Sequence, residues 1–185
     1  MIFDTHAHYD DEAFDKDRDR LLSTLEEQGV GCIVNVGASF RGAKDSVELS
    51  MRYPHVYAAV GVHPDDAGSL DEEGLRWLEE TARREKKVVA IGEIGLDYYW
   101  MEDPKEIQID VFKRQIALSK KHNLPFVVHT RDALEDTYAV IKEVGVGPRG
   151  GIMHSYSGSL EMAQKFVDLG MMISFSGVVT FKKAL

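Results

Sequence analysis

The sequence predicts an α/β fold in which about seven short parallel strands alternate with helices and curl into a (β/α) barrel, one domain over residues 1–185. Three observations predict it. Short β-branched or apolar runs recur along the chain, each followed by a turn and a stretch of helical period. Strands separated by helices pair in parallel and are covered on both faces. Side chains of ligand type end nearly every run: His6 and His8, His63, Glu93, His129 and His154. A polar site gathered from many strand ends marks a barrel, whereas a doubly wound sheet collects its site at one switch point.

The elements follow in order. Met1–His6 is the first strand, followed by a helical pattern over about 14–28 in which Leu21, Leu22 and Leu25 share a face. Gly29 stands where a helix C-cap is expected. Gly31–Val36 leads to a helix over 40–52, and Val56–Val62 to one over 71–86. Val88–Ile94 leads to a helix over 105–122, with Val111, Phe112, Ile116 and Leu118 on one side and Asn123-Leu124-Pro125 as its stop. Pro125–His129 precedes a helix over 132–144, and Gly151–His154 one over 159–169 with Gly170 as its cap. Met171–Phe175 is the seventh strand, and Lys182-Lys183-Ala184-Leu185 reads as the start of the next helix. The glycine-rich stretch Gly145–Gly151 is a turn into a strand, without the following helix that a phosphate loop needs.

Composition narrows the function classes. With 44% hydrophobic and 29% charged residues the chain can bury a sizeable core, which excludes disorder. No apolar run approaches the roughly 20 residues that span a bilayer. The start shows no secretory leader, and the single Cys32, in an apolar run, reads as a small buried hydrophobe of a reducing cytoplasm. The net charge is −9, and residues 1–28 carry nine acids against three bases. A basic surface for coating a nucleic-acid duplex is therefore not expected. An enzyme that grips one phosphate through metal ions fits this balance.

The strand ends carry the chemistry. Residues two apart on a strand face the same side, so His6 and His8 converge, and neutral imidazole is the commonest metal-binding side chain. Glu93 follows the apolar Val88–Gly92, and a buried carboxylate there is costly unless it is paired or bound to a cation. His129 after Phe126-Val127-Val128 and His154 after Gly151-Ile152-Met153 repeat the pattern. Four His and one Glu exceed one tetrahedral site, so two divalent cations sharing the carboxylate are expected, a clamp suited to phosphoester hydrolysis.

Asp4-Thr5-His6-Ala7-His8, Gly61-Val62-His63-Pro64, Gly92–Tyr99, His129–Ala133 and His154–Gly158 resemble, in order, the signatures of the TatD family of metal-dependent deoxyribonucleases, amidohydrolase-like TIM barrels. The resemblance implies that His6 and His8 hold one metal, that His129 and His154 hold the other, and that Glu93 bridges them. It implies Mg, Mn or Zn as cofactor and a metal-activated water that attacks a phosphodiester near a DNA 3′ end. DNA ends or single-stranded DNA would be the substrate. The pattern departs at the C-terminus, where the family continues through an eighth strand whose Asp completes the first metal site. A shortened member with about seven of eight strands is therefore expected, with self-association through the open barrel edge.

Around these ligands, Glu93, His63 and Arg131 are the expected catalytic groups, and His63, Arg131, Ser155 and Tyr156 the expected substrate contacts. Arg131 would fork onto a phosphate or pair with Asp132 or Glu135. Asp4 would orient an imidazole or form a buried salt bridge. Asp97 is expected in a loop with Tyr98, Tyr99 and Trp100, aromatics that either stack on bases or pack the loop. His55 and His122 read as solvated. The alternatives are a phosphatase of the polymerase-and-histidinol-phosphatase type, a D-aminoacyl-tRNA deacylase, and an inactive metal-binding relic.

Overall fold

The computed structural model describes residues 1–182. Seven parallel strands run β1 (Ile2–Ala7), β2 (Val30–Val36), β3 (Val56–Val60), β4 (Val88–Asp97), β5 (Phe126–Arg131), β6 (Gly151–Met153) and β7 (Met171–Ile173), and they lie in the sheet in that order. Helices α1 (Arg18–Thr24), α2 (Phe40–Arg52), α3 (Glu72–Arg84), α4 (Lys105–Lys121), α5 (Leu134–Val144) and α6 (Leu160–Asp168) alternate with them. Strands β1 and β6 are far apart in this order, yet the His6 ring stacks on the His154 ring at 3.5 Å. The sheet is therefore curled into an open barrel. Among the described residues β1 and β7 each pair on one side only, and Ile2, Phe3, Met172 and Phe175 beside those edges are exposed.

The apolar periodicities explain the layers. Leu78, Ile91, Ile94, Phe112, Ile116, Phe126, Ile141 and Phe166 are buried between sheet and helices. Val34, Val36, Ala59, Ala90 and Val127 form a smaller cluster on the alternate positions of the central strands. Three helix starts are capped by side chains: Ser39 on Gly42 N–H (3.0 Å), Asp71 on Gly74 N–H (2.8 Å) and Ser159 on Met162 N–H (3.2 Å). Such caps contribute roughly 1 kcal/mol each.

Several expectations are corrected. The first helix covers only Arg18–Thr24, after a 3₁₀ turn at Glu12–Phe14, because Arg18 folds back onto the carbonyls of Asp10 (3.2 Å) and Asp11 (2.8 Å). β4 continues to Asp97, so Glu93 lies inside the strand and Asp97 ends it. Cys32 is only half-buried. His55 and His122 are not solvated: His55 is 9% exposed, and the His122 Nε2 is buried 3.8 Å from Glu79. The expected helix start at Lys183–Leu185 lies outside the described residues.

Two β-bulges shape the site. Asp4 pairs with Ile33 but Ala7 with Asn35, and Ile91 pairs with Phe126 but Ile94 with Val128. Each stretch holds one residue more than its partner, a device that re-aims side chains. The extra residues lie around His6 and Glu93. Gly95, paired with His129, has φ +147, and a Cβ there would stand 1.9 Å from the His129 carbonyl oxygen. Only glycine admits β5 this close to the strand that carries Glu93.

Candidate metal centre

Glu93 stands at the middle of the arrangement, 4% exposed, on the fourth of seven strands. One carboxylate oxygen lies 3.2 Å from His6 Nε2 and 3.8 Å from His8 Nε2, and the other 3.3 Å from His129 Nδ1. The ligand atoms of His6, Glu93 and His154 lie within 4.8 Å of one another, as do those of His63, Glu93 and His129. All five residues expected to hold metal are thus brought to one place. The grouping differs from the one the resemblance implies, since His154 falls beside His6, and His63 beside His129.

Each imidazole is oriented by what surrounds it. The His8 Nδ1 lies 2.8 Å from the Val36 carbonyl, which fixes Nδ1–H as donor and turns Nε2 toward His6, 3.0 Å away. His63 starts the 3₁₀ turn Pro64–Ser69, and its Nδ1 accepts from Asp65 N–H at 3.3 Å. Its ring meets His129 edge-on, with centroids 4.2 Å apart. His129 places Nε2 2.9 Å from Asp97 while Nδ1 faces Glu93. The His6 Nδ1 is buried and has no hydrogen-bond partner among the described residues.

The electrostatics match the geometry. Burial pushes the His63 pKa down to about 4, reinforced by the neighbouring His129 charge, and burial together with His6 does the same for His154. Burial alone would raise Glu93, but hydrogen bonds from His129 and His6 outweigh it and hold the carboxyl well below its ordinary range. Burial alone would lower His129, but Glu93 and Asp97 raise it. At neutral pH His63 and His154 are therefore neutral imidazoles beside the ionised Glu93 carboxylate, donors of the kind a divalent cation takes, while the two carboxylates favour the protonated form of His129. The orphaned His6 nitrogen and the close His6–His8 pair fit the same occupant.

Other expected residues sit differently. Asp4 accepts from the backbone N–H of His6 at 3.1 Å and from neither imidazole, because the bulge breaks strict alternation at that point. Arg131 pairs with neither Asp132 nor Glu135; its guanidinium lies 3.8 Å over the Tyr99 ring. Ser155 is held in the left-handed region (φ 46) with its hydroxyl on Ser176. Tyr156 departs from the expected groove position: it is 7% exposed, packs on Phe166, and gives its hydroxyl to the Ser159 carbonyl. Asp97 is the site residue that the sequence reading missed. It is 1% exposed and contacts His129, and the signal was its place three residues beyond an apolar run that already held a buried carboxylate.

Residues 3–185 match the family model described as TatD related DNase. An uncharacterized metal-dependent hydrolase of Bacillus subtilis, YabD, is 45% identical over 184 residues, spanning all of this chain and 72% of that protein. YcfH of Escherichia coli, also an uncharacterized metal-dependent hydrolase, is 37% identical over 188 residues, spanning all of this chain and 69% of its own length. The crystal structure of YjjV, a TatD homolog from Escherichia coli, superposes with a TM-score of 0.88 at 32% identity, covering 99% of this chain and 71% of that one.

Proposed function

This chain belongs to the family of TatD-related DNases, metal-dependent hydrolases, and on that premise we propose that it hydrolyses phosphodiester bonds at DNA 3′ ends using two divalent cations, Mg, Mn or Zn. The observation that carries the reading is the buried Glu93 carboxylate with His6, His8 and His129 around it at 3.2 to 3.8 Å. His6, His8 and His154 would hold one cation and His129 the other, with Glu93 shared. When bound, the cations supply Lewis acidity that activates water as nucleophile and stabilises charge on the phosphoryl oxygens.

The chain's own residues supply the rest. Glu93 holds its charge between the two halves and keeps them together. Asp97 holds the His129 ring through Nε2. His63, neutral at pH 7 with Nδ1 accepting from Asp65 N–H, carries its ring proton on Nε2 and would donate it in a hydrogen bond to a phosphate oxygen. As the water oxygen bonds to phosphorus and gives its proton to solvent, the bond to the leaving sugar oxygen breaks, and that oxygen takes up a proton from solvent. Arg131 donates to a phosphate oxygen. A cytoplasmic location agrees with the absence, among the described residues, of any helix long and apolar enough to cross a membrane. Self-association through β1 and β7 completes the proposal, and a sedimentation coefficient that rises with concentration is its expected sign.

The test is metal-depleted protein restored with Mg, Mn or Zn and assayed on single-stranded DNA labelled at the 3′ end. Stepwise release of nucleotides from that end, with two equivalents of metal bound, is expected. Hydrolysis of phosphomonoesters alone, or of ester-linked aminoacyl groups alone, would replace the DNA reading.

A further inference from the structure

Within the nuclease reading, on which this inference rests, we propose that Tyr99, Trp100 and Arg131 form a stacking platform at the rim of the metal centre that takes the face of an unpaired nucleobase. The two aromatics lie two and three residues beyond the end of β4 and are 54% and 57% exposed. Such large apolar surface is normally buried or engaged by a partner. Other aromatics of the chain show the contrast. Tyr98 gives its hydroxyl to Asp136 at 2.8 Å and lies under the Lys105 ammonium, and the half-buried Trp77 packs edge-on against Phe40.

The platform is fixed to the centre by one side chain. Asp97 accepts the backbone N–H groups of Tyr99 (2.8 Å) and Trp100 (3.0 Å) on one carboxylate oxygen. Its other oxygen lies 2.9 Å from His129 Nε2. The aromatic pair is thus held from the same carboxylate that holds an imidazole of the centre. The two rings are nearly perpendicular at 4.9 Å, and Arg131 covers one face of Tyr99 at 3.8 Å while standing 5.6 Å from Trp100. Trp100, 57% exposed, keeps more than half of its surface open to solvent. Arg131, bound to no carboxylate among the described residues, keeps its N–H fork for a phosphate beside the stacked base.

This arrangement suits single strands in particular. Bases in a duplex have both faces covered by their neighbours, and only an unpaired base can enter the stack. A chain of net charge −9 gains little from counterion release, so stacking would provide an affinity that charge does not.

The experiment follows Trp100 emission in a Trp77→Phe background, within milliseconds of mixing metal-loaded protein with ten-residue oligothymidylate, an abasic oligomer of equal length, or a blunt duplex. Quenching by oligothymidylate alone is expected. Anisotropy of a labelled oligothymidylate should then show Trp100→Ala binding roughly 5- to 150-fold more weakly, the range for loss of one base stack. This second measurement is made in the otherwise native sequence and needs no change at Trp77. Equal binding of abasic and thymidine oligomers, cleaved alike without quenching, would overturn the platform and leave the nuclease reading intact. Quenching without nucleotide release would leave the platform and remove the nuclease reading. A Trp100 emission shift that depends on protein concentration without DNA would assign the patch to self-association and overturn the proposal.

Discussion

The His63–Glu93–His129 half of the cluster rests on the interior strands β3, β4 and β5, whereas the His6–Glu93–His154 half spans β1 and the end of β6. In the interior half the protein itself fixes the rings, with His129 engaged at both nitrogens and His63 at Nδ1. In the other half, two imidazoles lie face to face at 3.5 Å, and one buried nitrogen, His6 Nδ1, has no partner. β1 is also an outer strand with Ile2 and Phe3 exposed. The difference teaches that the same ligand types are preorganised where carboxylates or backbone groups of the protein engage their ring nitrogens, and less so where a ring nitrogen is left without a partner.

The largest effect should come from the residue both halves share. Glu93→Gln keeps the shape but removes the charge, so metal content should drop in both halves and hydrolysis should fall more than about 100-fold, beyond the usual cost of an outer partner. A variant that loses one equivalent and keeps the other would break the comparison, because Glu93 would then serve one half only. Asp97→Asn comes next. It leaves His129 without an anionic partner, so metal affinity of the interior half should fall roughly 10- to 100-fold while the other half is unchanged. Titration with a spectroscopically active cation separates the two.

How much of this was legible in the sequence depends on what each feature rests on. The strand and helix pattern was, because apolar periodicity reports burial directly, and α2 at Phe40–Arg52 matches its expected limits. The convergence of His6, His8, Glu93, His129 and His154 was also legible, since each ends or interrupts an apolar run. The bulges at Asp4–Ala7 and Ile91–Ile94 were not, because an inserted residue leaves no mark on side-chain type. Without that mark the sequence points Asp4 toward an imidazole or a buried salt bridge, and Asp97 into a loop. Tyr156 misled for a related reason: polar neighbours placed it in a groove, while its ring packs on Phe166 and its hydroxyl is satisfied locally.

A smaller effect is expected on stability when metal is removed. A cation at one hundred times its dissociation constant stabilises the folded state by about 2.7 kcal/mol, which for a chain of this size corresponds to a melting shift of roughly 5–10 °C. Calorimetry should show the drop on chelation. In an Asp97→Asn chain the drop should shrink, since the interior half then contributes less. An unchanged melting temperature in the native sequence would mean that neither half depends on the cation.

A further effect concerns protons in the metal-free chain, and it touches one histidine from each half. His63 and His154 are both held near pKa 4 in the folded state against an ordinary value of 6.5. Between those values the unfolded chain binds more protons than the folded one, so acid favours unfolding. Their contribution is fully present above pH 6.5 and is lost as pH falls toward about 4. His129 works the other way: its pKa is raised, so its contribution is present below 6.5 and is lost as pH rises through the raised value. Glu93, held low, adds its own loss only below its ordinary 4.5. The melting temperature of the chelated protein should therefore fall from pH 6.5 to 4. His154→Asn and His63→Asn should each flatten that slope, because each removes one proton-binding difference. His154 is the more sensitive probe of the comparison, since it stacks on His6, whose own ring contacts change with any opening of β1. If His63→Asn flattens the slope and His154→Asn does not, the half that spans β1 and β6 is already open without metal.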